Sequence, residues 1–206
     1  STTTGAIGLY GTGADFGLDI ADGALDTDSG DITLEGTATA ATATAGVRVT
    51  GDGLVTNGGD ITITGTSAGG VGVQLGDGSA FAIGSGGGSI TIEGTGIDAG
   101  VLMQGNQVTS GGGAVSITGT GATIGVSLEG SDIDSAGGGI DIDGIASAAG
   151  GIGVSLYDAQ LTGGAGDVIV RGTAAAGIGI QFGYGSAIST TTGAIGLYGT
   201  GADFGL

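Results

Sequence analysis

Ile61-Thr62-Ile63-Thr64-Gly65 decides the fold. Apolar and polar residues alternate strictly up to a glycine, the pattern of a β-strand with one face turned inward. The same phrase recurs along the whole chain. It reads Ile7-Gly-Leu9-Tyr-Gly11, Ile32-Thr-Leu34-Glu-Gly36, Ile90-Thr-Ile92-Glu-Gly94 and Val115-Ser-Ile117-Thr-Gly119, then Ile140-Asp-Ile142-Asp-Gly144, Val168-Ile-Val170-Arg-Gly172 and Ile195-Gly-Leu197-Tyr-Gly199. The terminal glycine fits a sharp bend or a place where another backbone comes close.

The closing glycines are Gly11, Gly36, Gly65, Gly94, Gly119, Gly144, Gly172 and Gly199, so the spacing varies only between 25 and 29. Their full span, 199 − 11 = 188, is also a second, longer period. Ser1–Leu18, STTTGAIGLYGTGADFGL, returns unchanged as Ser189–Leu206, an offset of 189 − 1 = 188. The long repeat is therefore seven short ones, and the identity predicts a tandem array in which Leu206 could be followed by Asp19.

A second strand follows in each short repeat, as in Gly46-Val47-Arg-Val49, Gly72-Val73-Gln-Leu75 and Gly125-Val126-Ser-Leu128. A third apolar point comes about eight residues beyond that glycine: Leu25, Leu54, Val108, Ile133 and Leu161, with Phe81 and Ile188 slightly displaced. Turn clusters separate the repeats, among them Asn57-Gly58-Gly59, Gly86-Gly87-Gly88, Gly111-Gly112-Gly113 and Gly137-Gly138-Gly139. Short strands at this spacing, without helical periodicity, predict a solenoid. The expected fold is all-β, a right-handed parallel β-helix (β-solenoid) of about seven turns of 25–29 residues with three short strands per turn. Residues 1–206 form a single continuous segment of it.

Stacking puts equivalent residues about 4.8 Å apart on neighbouring turns. It predicts a carboxylate beside each of the two arginines: Asp19 beside Arg48, and Asp143 beside Arg171. The Thr-rich stretch Thr37–Thr44 reads as a loop or long corner without partners in adjacent turns. The outward ladder Thr33, Thr62, Thr91, Ser116 passes to Asp141, Ile169 and Gly196, so it lacks the uniformity expected of an ice-binding face.

Composition narrows the function classes. Gly contributes 54 residues without a three-residue period, which excludes collagen. Ile, Leu, Val and Phe supply almost a quarter of the chain, enough to build a core and to argue against disorder. Twenty acidic residues against two arginines leave a net charge of −18, which repels nucleic acid and anionic membranes. No apolar run is long enough for membrane insertion. With neither His nor Cys, the chain has no Ser–His or Cys–His nucleophile pair and no disulfide scaffold. The glycine runs lack the lysine of a phosphate-binding loop.

Acidic residues carry what chemistry remains. Asp132, Asp134, Asp141 and Asp143 could pair as acid and base in saccharide cleavage, but the short, regular turns provide no loops to wall a groove. No catalytic or cofactor-binding residue is assigned. Calcium, which prefers several oxygen ligands, is the one ion these acids suggest. Its candidates are Asp26, Asp28, Asp31, Asp132, Asp134, Asp141 and Asp143; Asp60 and Asp167 repeat the Asp31 slot. Gly163-Gly-Ala-Gly-Asp167 is similar to a calcium-binding nonapeptide but does not recur.

The repeated ITITGT…GVQL phrase with triple-glycine turns resembles the β-strand repeats of very large bacterial exoproteins, the filamentous-haemagglutinin-like adhesins. The resemblance covers the whole chain and implies a secreted, surface-associated β-helical fibre used in adhesion, biofilm or cell–cell contact. It includes no secretion domain and no receptor-binding segment. The expected role is a structural rod on the bacterial cell surface or outside the cell, and not an enzyme. Its expected partner is itself, by tandem continuation or end-to-end stacking. An adhesin shaft that holds glycans or a partner cell, with calcium assisting, is the alternative.

Overall fold

The computed structural model describes residues 1–2 and 4–206. Among them there is no helix, and every strand pairing is parallel. The chain winds as a β-solenoid of about seven turns, each inner strand bonded to its counterparts one turn before and one turn after.

Three sheets line the solenoid. The first stacks Ile7–Gly13, Ile32–Ala38, Ile61–Ser67, Ile90–Thr95 and Val115–Gly121, and ends at Ile195–Gly201. The second runs from Phe16–Ile20 through Ala45–Val49, Val71–Leu75 and Ala99–Gln104 to Ile124–Glu129. The third is seven-stranded, from Ala24–Asp26 to Ala187–Ser189. Late in the chain the separation of short strands is lost. Ile140–Tyr157 and Val168–Phe182 each pass unbroken around the corner between the first two sheets and join them into one. Their mutual register slips between Ala146 and Gly151, where one strand bulges at the corner.

Alternation explains the core. Ile32, Leu34, Ile61, Ile63, Ile90 and Ile92 are wholly buried, while the residues between them face out. Val47, Val73, Val101 and Val126 meet them from the second sheet, and Leu54, Ile83, Val108 and Ile133 from the third. Ile83, rather than Phe81, completes that third column between Leu54 and Val108. Phe81 instead stacks on Asn106, one slot away. Ile188 stands in register with Leu161, so its displacement in sequence disappears in space.

The glycine that closes each phrase is not a bend. Gly65 lies inside the strand Ile61–Ser67, and a Cβ there would come 2.1 Å from the carbonyl oxygen of Gly72. Gly36 stands likewise against Gly46, Gly94 against Gly100 and Gly144 against Gly153. At these glycines the first and second sheets touch backbone to backbone, and no side chain fits there.

The corner between the third sheet and the next first-sheet strand holds one length. Leu25 to Ile32, Leu54 to Ile61, Ile83 to Ile90 and Val108 to Val115 are each seven residues apart, as are the later pairs. All variation in repeat length falls in the other two corners. A buried hydroxyl fixes the constant one: Thr27, Thr56, Ser85, Ser110 and Ser135 stack there, all buried. Each donates across the turn to the carbonyl three residues on, as Thr56 Oγ1 does to Gly59 at 2.6 Å and Ser110 Oγ to Gly113 at 2.5 Å. Each hydroxyl from Thr56 onward also sits 3.0–3.3 Å from a carbonyl of the following turn. Gly163 interrupts the stack, and Thr190 resumes it with a bond to Gly193.

Candidate functional site

The outward face of the first sheet runs from the first turn to the last. Three columns cross it. The first begins with Thr33, Thr62, Thr91 and Ser116 and passes to Asp141 and Ile169, so its breakdown is as the sequence indicates. The second mixes Tyr10, Glu35, Thr64, Glu93 and Thr118 with Asp143, Arg171 and Tyr198.

The third column escaped the sequence reading. Thr12, Thr37, Thr66, Thr95 and Thr120 follow one another in register, Ile145 interrupts, and Thr173 and Thr200 resume. Thr37 therefore has partners in both adjacent turns, and only residues 39–44 form the corner. The signal was the residue after each closing glycine, which is Thr in all phrases except Gly144-Ile145.

Arg48 is paired as expected. Its Nε and Nη2 donate to Asp19 Oδ1 and Oδ2 at 2.9 and 2.8 Å, and the guanidinium lies 4.3 Å from the Phe16 ring centre. The hydrogen bond to Asp19 raises its pKa above the usual arginine value. Arg171 departs from expectation. Its backbone is in register with Asp143, yet Nη1 binds Asp141, the previous outward slot of that strand, while Tyr198 lies in register on the following turn. Opposite side chains on adjacent rungs are not the only ones within reach; a long guanidinium also spans the diagonal.

The acidic candidates are scattered. Asp26 and Asp28 are exposed near the N-terminal edge, Asp132 and Asp134 flank buried Ile133 on the third sheet, and Asp141 is engaged with Arg171. Asp143 stands in the next outward slot of the first sheet. Asp31 does share a slot with Asp60 and Asp167, and the reason is structural. Asp31 Oδ1 accepts the backbone N–H of Asp60 at 2.8 Å, Asp60 that of Ser89 at 2.7 Å, and Asp167 that of Ala194 at 2.7 Å. Each carboxylate ties one turn to the next. Among the described residues no three acidic, His or Cys side chains converge on a metal-sized site. Gly163–Gly166 forms the same kind of turn as the triple-glycine corners, closed by the Gly166 N–H on the Gly163 carbonyl.

A shallow polar groove crosses the third sheet, lined by Gln107, Thr109, Asp132, Asp134, Gln160 and Thr162. Asn106, buried nearby, donates to the Leu75 carbonyl at 2.9 Å, and its Oδ1 has no partner among the described residues.

No family model, curated protein or solved structure is significantly similar to the chain.

Proposed function

We propose that this chain is a rod-forming repeat segment of an extracellular or cell-surface fibrous protein. One observation carries the reading: the strands Ile7–Gly13 and Ile195–Gly201, identical in sequence, occupy the same column of the same sheet. A unit that returns to its own starting position can be repeated without disturbing core or register. Each 188-residue unit would lengthen the rod by roughly 34 Å at about 4.8 Å per turn. Stiffness comes from the inter-turn hydrogen bonds and the buried aliphatic columns. The acidic surface opposes lateral clumping. The resemblance to large bacterial adhesins supports a place outside the cell, and no catalysis is assigned.

Electron microscopy of the native protein tests this. Thin fibres with an axial repeat of about 34 Å are expected. Compact particles would reject the rod.

The polar groove on the third sheet favours a second reading, an adhesin shaft that holds neutral glycans along its length, with calcium as an aid. Substituting Gln107 and Gln160 together should then weaken glycan capture and leave fibre formation intact. Unchanged capture would remove this reading and spare the first.

A further inference from the structure

We propose that the outward face of the first sheet binds ice. Between Thr33 and Thr120 the three columns form a four-rung array whose twelve positions are Thr or Ser except at Glu35 and Glu93. The failure of the Thr33 column begins only at Asp141, beyond these rungs. The register through the array is one-to-one, with no bulge. Rows are therefore spaced about 4.8 Å along the solenoid and about 6.6 Å along each strand. The spacing along the solenoid is close to the short lattice repeat of hexagonal ice, and the spacing along the strand falls somewhat below the long one.

The hydroxyls of this array are unoccupied by the protein. None of them bonds to another group among the described residues, whereas the same residue types at the constant seven-residue corner are tied to carbonyls. Thr is also stiff about χ1, so each hydroxyl has little rotamer freedom to lose when it binds. Water bound to such rows is held at little further ordering cost, because the chain has already ordered the groups that hold it.

The chemistry of the face selects against other occupants. A net charge of −18 opposes a second copy of the rod or an anionic surface. From Thr33 to Thr120 the outward slots contain no aromatic ring to stack on a sugar, so a crystalline polysaccharide has no platform there. A neutral lattice of hydrogen-bonding groups remains, and water ice is one.

The test uses the full chain, shown to be folded by its β-type circular dichroism, in slowly growing ice. The expected result is incorporation into the ice and inhibition of recrystallisation. Thr66→Tyr and Thr95→Lys should each abolish most of the effect, and Thr109→Tyr on the third sheet should preserve it. If one first-sheet variant fails to fold, the other decides. Exclusion of the folded chain from ice overturns the proposal. So does equal loss in Thr109→Tyr, or retention on crystalline cellulose without retention in ice.

Discussion

Arg171 is aligned with Asp143 through the backbone but binds Asp141. The choice predicts an asymmetry between two carboxylates on one strand. A double-mutant cycle of Arg171→Ala with Asp141→Asn should give a coupling below about 1 kcal/mol, since both side chains are substantially exposed. The same cycle with Asp143→Asn should give none. Coupling only to Asp143, measured by denaturant unfolding, would show that register alone sets the pair.

Gly65 faces the Gly72 carbonyl with no room for a side chain. Gly65→Ala should destabilise the solenoid by about 3 kcal/mol or more, because the obstacle is backbone and cannot rotate away. Thr64→Ala, one residue earlier on the outer face, should change stability by less than about 0.5 kcal/mol. Similar midpoints for the two variants would remove the close-contact explanation.

Ser110 shows what the constant corner requires. Ser110→Ala leaves the Gly113 carbonyl without its buried donor and should cost about 1–3 kcal/mol. Ser110→Thr should be nearly neutral, because Thr56 performs the same task in the same slot. A thermal melt in which threonine is as damaging as alanine would contradict the role of the hydroxyl.

Ala136 adopts φ 51°, a left-handed conformation taken by Gly86, Gly111 and Gly164 in comparable turns. Relief of that strain outweighs the added freedom of glycine in the unfolded chain. Ala136→Gly should stabilise by roughly 0.5–1 kcal/mol; a lower melting temperature would count against it.

Asp77 accepts the backbone N–H of Ser79 at 3.0 Å, which holds its carboxyl below the usual aspartate range. A depressed folded pKa contributes stability above the ordinary aspartate value. That contribution is lost as pH falls through the folded value. Side-chain NMR titration should place the Asp77 midpoint below that of aspartate in the unfolded chain. A midpoint at or above it would mean the turn does not hold the anion.

Much of this architecture was legible because a solenoid writes its period into the chain. Ile61, Ile63 and Gly65 disclose strand, inner face and repeat at once, and their recurrence discloses stacking. What stayed hidden depends on contacts between turns. Thr37 looked like part of a polar loop, since its partners Thr12 and Thr66 each stand a full turn away and the turns differ in length. Phe81 took the eye from Ile83 because one corner before it is longer than usual. The diagonal reach of Arg171 and the inward turn of Ser85, Ser110 and Ser135 are side-chain choices that alternation alone does not encode.

The seven-residue corner behaves as a spine. Because its length never changes while the other two edges absorb three or four additional residues, foreign peptides spliced after Ala38 or Leu75 should be displayed as loops without disturbing the stack. The same splice after Ser110 should unseat it. The molecule thus has a built-in division between edges open to elaboration and one that is closed to it.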